Sequence, residues 1–210
     1  MRDAAEEGDA QAQCYLGVCF QNGQGVHQDN QEAVKWFRKS AEQNDPVAQC
    51  YLGVCYMTGA GVPQEYSEAA RWLREAAEQE DPAAQFNLGL LYETGQGVTQ
   101  NYAEAVKWYR KSAERGYPAA QFNLGVFFEQ GQVVEQDFAE AAKWYLLAAE
   151  QELADAQCNL GLCYQTGRGV KQNNKEAVKW FIRAAQQGNK TAQHNLGLHY
   201  AAVEADQSLE

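Results

Sequence analysis

Apolar side chains in this chain fall at helical spacing and fall there again 36 residues later. On a helical wheel turning about 100° per residue, Ala12, Gln13, Gly17, Cys19 and Phe20 lie within about 100° of Leu16. That seam returns with the phrase AQxxLG, which holds Gln13, Gln49, Gln85, Gln121, Gln157 and Gln193. A second stripe, Ala33, Trp36, Phe37 and Ala41, follows, and its tryptophan recurs as Trp72, Trp108, Trp144 and Trp180. Each period therefore predicts two amphipathic helices. A unit this small cannot bury its apolar face alone, so it stacks on its neighbours.

Start and stop signals agree with the stripes. Asp45-Pro46 and Asp81-Pro82 place a capping acid before a proline whose missing N–H costs nothing in the first turn. Asp29, Glu65, Asn101, Asp137 and Asn173 open the second helices, each followed three residues later by glutamate, a pattern resembling a capping box. GxGV recurs between the two helices and supplies glycines where positive φ is cheap. One repeat reads GQVV instead, which predicts a strained or rebuilt loop at Val133. Gly17, Gly53, Gly89, Gly125, Gly161 and Gly197 sit inside the first helices, where glycine costs about 1 kcal/mol against alanine, so the helices there are expected to approach closely.

Composition adds limits. With 210 residues and 45% hydrophobic content, the unbroken period predicts one array over residues 1–203, with a vector-derived tail at 204–210. RDAAEEGDAQAQ at the start aligns with RKSAEQNDPVAQ from Arg38, so the chain is expected to begin inside a second helix of a longer array. A net charge of -11 disfavours nucleic acid and favours a neutral or basic protein or peptide partner. Residues 1–11 form no apolar leader and no membrane-inserting span is read, so the cytoplasm is expected, with the periplasm or secretion open if an upstream signal has been removed.

Cysteines pair as Cys14/Cys19, Cys50/Cys55 and Cys158/Cys163, five apart on one helix. Five residues turn about 140° and rise about 7.5 Å, which suits neither a disulfide nor shared metal ligation. Six thiols, three of them in the seam, are the expected state and fit a reducing compartment. Cys158, Cys163, His194 and His199 form the metal-binding or redox alternative, but side chains diverging by about 140° cannot meet within the 2.0 to 2.3 Å that zinc needs. No nucleophile has a positioned base, and no lysine-serine follows the GxGV loops, so neither catalysis nor a cofactor is expected.

The segment AQFNLGLLYETGQGVTQNYAEAVKWYRKSAERGY from Ala84 resembles a Sel-1-like repeat, a relative of the tetratricopeptide repeat with a longer inter-helix loop. The resemblance covers nearly the whole chain. It implies an all-α fold, a right-handed α/α superhelical solenoid of 36-residue helix-turn-helix repeats. Five full helix pairs are expected, preceded by part of a second helix and followed by one first-type helix. It also implies first helices on the concave face and a role as adaptor or scaffold. Cysteine-rich relatives staple their repeats through the second helix, and the second helices here contain no cysteine.

Function is then sought opposite the seam. One column there reads Cys14, Cys50, Phe86, Phe122, Cys158, His194, the next Val18, Val54, Leu90, Val126, Leu162, Leu198, and a third Tyr15, Tyr51, Asn87, Asn123, Asn159, Asn195. An apolar ladder where polar residues are expected, rimmed by Glu93 and Glu129, predicts a peptide groove. Its expected residues are Phe86, Asn87, Leu90, Glu93, Phe122, Asn123, Val126, Glu129, Asn159, Leu162 and Asn195. In tetratricopeptide domains, concave asparagines hydrogen-bond an extended peptide backbone, and the resemblance implies the same here. The alternatives are that curvature buries these side chains between repeats, or that the array is an idealised one without a native partner.

Overall fold

The computed structural model describes residues 2–207, with side chains through residue 199. Twelve helices occur among them, and no strand. Helix α1 (Arg2–Glu6) precedes five pairs: α2 (Ala10–Asn22) with α3 (Asn30–Ala41), α4 (Pro46–Thr58) with α5 (Tyr66–Glu78), α6 (Pro82–Thr94) with α7 (Tyr102–Glu114), α8 (Pro118–Gln130) with α9 (Phe138–Glu150), and α10 (Ala154–Thr166) with α11 (Asn174–Gln186). Helix α12 (Lys190–Gln207) closes the array. It runs past residue 203, and the last three residues of the expected tail lie outside the described residues. Contacts divide the chain into two compact units, Met1–Ser112 and Ala113–Glu210, with the boundary inside α7.

Within each unit the mid-helix glycines set the fit of a pair. A Cβ at Gly17 would stand 2.6 Å from the Phe37 ring, at Gly53 2.6 Å from Leu73, and at Gly89 2.8 Å from Tyr109. Unit 2 repeats this with Gly125 against Tyr145 at 2.7 Å and Gly161 against Phe181 at 2.6 Å. The five large side chains are fully buried, each contributing roughly 1.5–3 kcal/mol. At Gly197, on α12, a Cβ would meet nothing within 4 Å among the described residues.

The recurring glutamine of AQxxLG is a latch between repeats. Gln49, Gln85 and Gln157 are buried, and each donates its amide to the backbone carbonyl eight residues earlier, at the end of the preceding second helix, at 3.4, 3.1 and 3.1 Å. Its own oxygen then accepts from a glutamine 30 residues on: Gln43 to Gln13, Gln79 to Gln49, Gln151 to Gln121 and Gln187 to Gln157, at 2.8–2.9 Å. Such pairing offsets the cost of a polar side chain in an apolar seam, and Gln85, with Arg115 in place of a glutamine 30 residues on, keeps its Oε1 buried without a hydrogen bond.

The second-helix caps are half of what the sequence predicts. Asp29, Asn101, Asp137 and Asn173 accept from the backbone N–H groups two and three residues on, whereas Glu65 makes no side-chain cap bond. The glutamates do not reach back. The cap residue's N–H is already satisfied by a first-helix carbonyl, as from Asp29 to Phe20 at 2.9 Å, so Glu32, Glu68, Glu104, Glu140 and Glu176 pair instead with the Lys or Arg three residues on. These exposed pairs add little, because water and salt screen them. Val133 takes φ 69°, so the loop is strained rather than rebuilt.

Candidate interaction face

Each expected groove residue is half-buried, neither core nor free surface. In unit 1, Phe86 meets the Tyr109 ring at 5.7 Å between centroids, with Leu90 one turn further along α6. Unit 2 repeats the arrangement, with Phe122 against Tyr145 at 5.8 Å and Phe122 and Val126 packed on the α9–α10 cluster. Leu162 borders the cluster formed by α10, α11 and α12. The apolar ladder therefore has one edge on the core and one open.

The two rim glutamates have an inward role. Glu93 Oε2 accepts from the Tyr109 hydroxyl at 2.5 Å, and Glu129 Oε2 from the Tyr145 hydroxyl at 2.6 Å. Tyr145 is held protonated well above its usual range, first by burial and then by its bond to Glu129. A wheel drawn for one helix sets these carboxylates on the rim, because it does not show the hydroxyl that the second helix brings up. A signal was present, because glutamate occupies this column only where its partner column holds tyrosine.

The asparagine column is divided. Asn87 donates to the Ala83 carbonyl of its own helix at 2.9 Å, and Asn159 hydrogen-bonds the Tyr145 hydroxyl. The Nδ2 of Asn195 is buried without a partner. Asn123 stands half-buried on α8 between Phe122 and Val126.

Cysteines in the same columns depart from expectation. Cys14, Cys50 and Cys158, placed opposite the seam on the wheel, are buried at 6%, 8% and 3% exposure, because a side chain this short is covered by the helices on either side. All six thiols are buried and unpaired. Burial, aided by the Asp45 carboxylate, pushes Cys14 up to about 12, and burial holds Cys55, Cys158 and Cys163 at about 11. The geometry does not assemble Cys158, Cys163, His194 and His199 into a ligand set: His194 is exposed, and among the described residues no group of three or more His, Cys, Asp or Glu could hold a metal ion. No described helix is long and apolar enough to cross a membrane.

The opposite faces look different. Second helices carry the cations, with Lys39 over Trp36 at 4.1 Å, Arg71 over Trp72 at 4.4 Å and Arg183 over Trp180 at 4.7 Å. The tryptophans are anchors at the edge of the core, where a cation shields the ring.

A profile of the Sel1 repeat matches residues 10–45, 46–81, 82–117, 118–153 and 154–189. Among solved structures, a Sel1 repeat protein from Oxalobacter formigenes is 40% identical, with 92% of this chain and 79% of that one covered and a TM-score of 0.86. A protective antigen present in uropathogenic Escherichia coli strains, described as displaying an SLR fold, is 39% identical over 94% of this chain, with a TM-score of 0.86. This chain spans 42% of that protein. A sel1 repeat protein from Klebsiella pneumoniae, 22% identical with a TM-score of 0.59, covering 91% of this chain and 93% of its own, shares the fold alone. No curated protein sequence matches.

Proposed function

The chain belongs to the Sel1 repeat family, whose members are generally non-catalytic scaffolds for protein–protein interaction, and we propose that it holds a peptide or helical segment of a partner on its first-helix faces. The observation that carries this reading is the half-buried apolar column, Phe86 and Leu90 in unit 1 and Phe122, Val126 and Leu162 in unit 2, set where a solvated helix face would be polar. Asn123 is the asparagine best placed to meet an extended backbone, since Asn87 and Asn159 have internal partners. Buried thiols held at high pKa fit the proposed cytoplasmic setting, where cysteines stay reduced.

Site-specific photocrosslinking tests the face. A benzoylphenylalanine at Asn123 or Asn159 should capture a protein partner from the native cell extract, whereas the same group at Lys143 or Lys179 on the second helices should not. Capture from the lysine positions alone would place the binding surface on the other side.

A further inference from the structure

In unit 1 the first helices α2 and α4 leave an open cleft of about 740 Å³ between them, bordered by Cys14, Tyr15, Val18, Val47 and Tyr51. On α2 its wall carries the short Cys14, in the column where α6 carries the bulkier Phe86. Its walls are firm: Tyr51 stacks on Phe37 with centroids 4.9 Å apart and planes within 5°, and Phe37 is locked against Gly17. Two of its side chains are large hydrophobics left in solvent, Tyr15 at 50% exposure and Val47 at 47%. Tyr15 also borders a second cleft of about 400 Å³ against α1, so its ring stands as a ridge between two hollows.

The charge around this cleft has one sign. Helices α2 and α4 contain no charged residue. Asp45 lines the main cleft and Asp9 the second. The turns at residues 6–9, 42–45 and 78–81 together hold eight acids and no lysine or arginine. The Asp45 field reaches the floor, where it helps burial to raise the Cys14 thiol. Lysines and arginines of the second helices are engaged elsewhere, with Lys35 on Glu32, Arg38 on the Tyr56 hydroxyl, Lys39 on the Trp36 ring and Arg74 on the Tyr92 hydroxyl. An apolar side chain flanked by acidic groups fits this surface poorly; one flanked by basic groups gains at every step of approach.

We propose that the cleft between α2 and α4 is an anchor site for an aromatic side chain of a basic partner segment, seated between Tyr15 and Tyr51 with a flanking lysine or arginine at Asp45. This rests on the reading of the first-helix faces as the binding surface, and it assigns the anchor and its charge. Aromatic pairs at centroid separations of 4.5–7 Å supply directional attraction beyond area burial. The acidic edge sets which sequences dock.

The probes are three seven-residue peptides with Gly and Ser flanks and Lys-Trp-Lys, Glu-Trp-Glu or Lys-Ala-Lys at the centre. They are titrated into the isotopically labelled full chain and followed by two-dimensional NMR. The Lys-Trp-Lys peptide should shift the signals of Tyr15, Val18, Val47 and Tyr51. The other two should bind at least about tenfold more weakly, and Tyr15→Ala, exposed and outside the core, should weaken Lys-Trp-Lys by about tenfold with an unchanged melting curve. A second variant, Val47→Ser, removes apolar surface from the hollow without changing the charge and should reduce binding through the hollow rather than the ridge. Shifts confined to residues around Asn87, Asn123 and Asn159 would overturn the anchor while leaving the face intact. No shift on any first helix, or shifts on second helices only, would overturn both. Equal binding of the Glu-Trp-Glu peptide would remove the assigned charge and with it the proposal.

Discussion

The Tyr145 hydroxyl donates to Glu129 Oε2 at 2.6 Å across the pair α8 and α9, and one repeat earlier Tyr109 does the same with Glu93 at 2.5 Å. Down the array the two columns read Gln21 with Phe37, Met57 with Leu73, Glu93 with Tyr109, Glu129 with Tyr145 and Gln165 with Phe181. Carboxylate and hydroxyl arrive together. A buried hydroxyl without an acceptor costs about 1–3 kcal/mol, which is reason enough for the coupling. Glu129→Ala should therefore lower stability by about 1–3 kcal/mol, and adding Tyr145→Phe should recover most of it. Chemical denaturation of the two single variants and the double variant reads the coupling. Additive losses would return Glu129 to the role of a solvent-facing rim residue.

The latch glutamines carry a second expectation. Gln157 donates to the Ala149 carbonyl at 3.1 Å and accepts from Gln187 at 2.9 Å inside the seam. Gln157→Ala leaves the buried Ala149 carbonyl without its donor, while the exposed Gln187 turns to water, and should cost about 1–3 kcal/mol. Gln193 makes the same first bond but is exposed, and its alanine variant should cost less than half as much. Equal losses in thermal unfolding would show that burial does not set the strength of the latch.

Which features were legible follows from the same residues. Asp45-Pro46, the terminal Gly23 and the close helix approach at Gly17 are local or periodic, so spacing alone predicts them. The latch is not local: a glutamine in an apolar stripe says that it must be satisfied, and its partners lie eight residues back and 30 residues on. A wheel sets Cys14 opposite the seam because it treats one helix at a time, whereas in the stack so short a side chain is buried by the next helix. Phenylalanine in the same column, and leucine and valine in the neighbouring one, reach further and keep an open edge. The candidate face was thus legible as a set of columns, while the depth of each member was not.

Thiol chemistry gives a third expectation. Cys55, Cys158 and Cys163 are raised from 9.0 to about 11, and at pH 8 that leaves about a hundredfold less thiolate. Ellman's reagent should label the native protein slowly and the urea-unfolded protein at once. The pH dependence has a fixed sign. A folded pKa above the unfolded one means that the stabilisation is complete below pH 9 and is lost as pH rises through 9 to about 11, and to about 12 for Cys14. Cys14→Ala should flatten the alkaline loss of stability between pH 9 and 10.5. An identical slope in the variant would show that Cys14 titrates alike in both states.

Val133 supplies a contrast within one fold. It takes φ 69° in the position held by Gly61, Gly97 and Gly169, all near 70–78°. For a residue with a Cβ the left-handed region costs about 1–2 kcal/mol, and a β-branched side chain sits at the upper end. Glycine would remove that strain but adds about 0.5–1 kcal/mol of unfolded-state entropy. Val133 is 53% exposed, so little burial is surrendered, and Val133→Gly should stabilise by up to about 1 kcal/mol. The reverse change at Gly97 meets a second obstacle. A Cβ there would lie 2.1 Å from the Tyr66 carbonyl oxygen, which is backbone and cannot turn aside. Gly97→Val should therefore cost well over the about 1–2 kcal/mol of φ strain alone. Urea denaturation of both variants decides the matter. A loss on Val133→Gly would mean that the valine side chain contributes more packing than its exposure indicates.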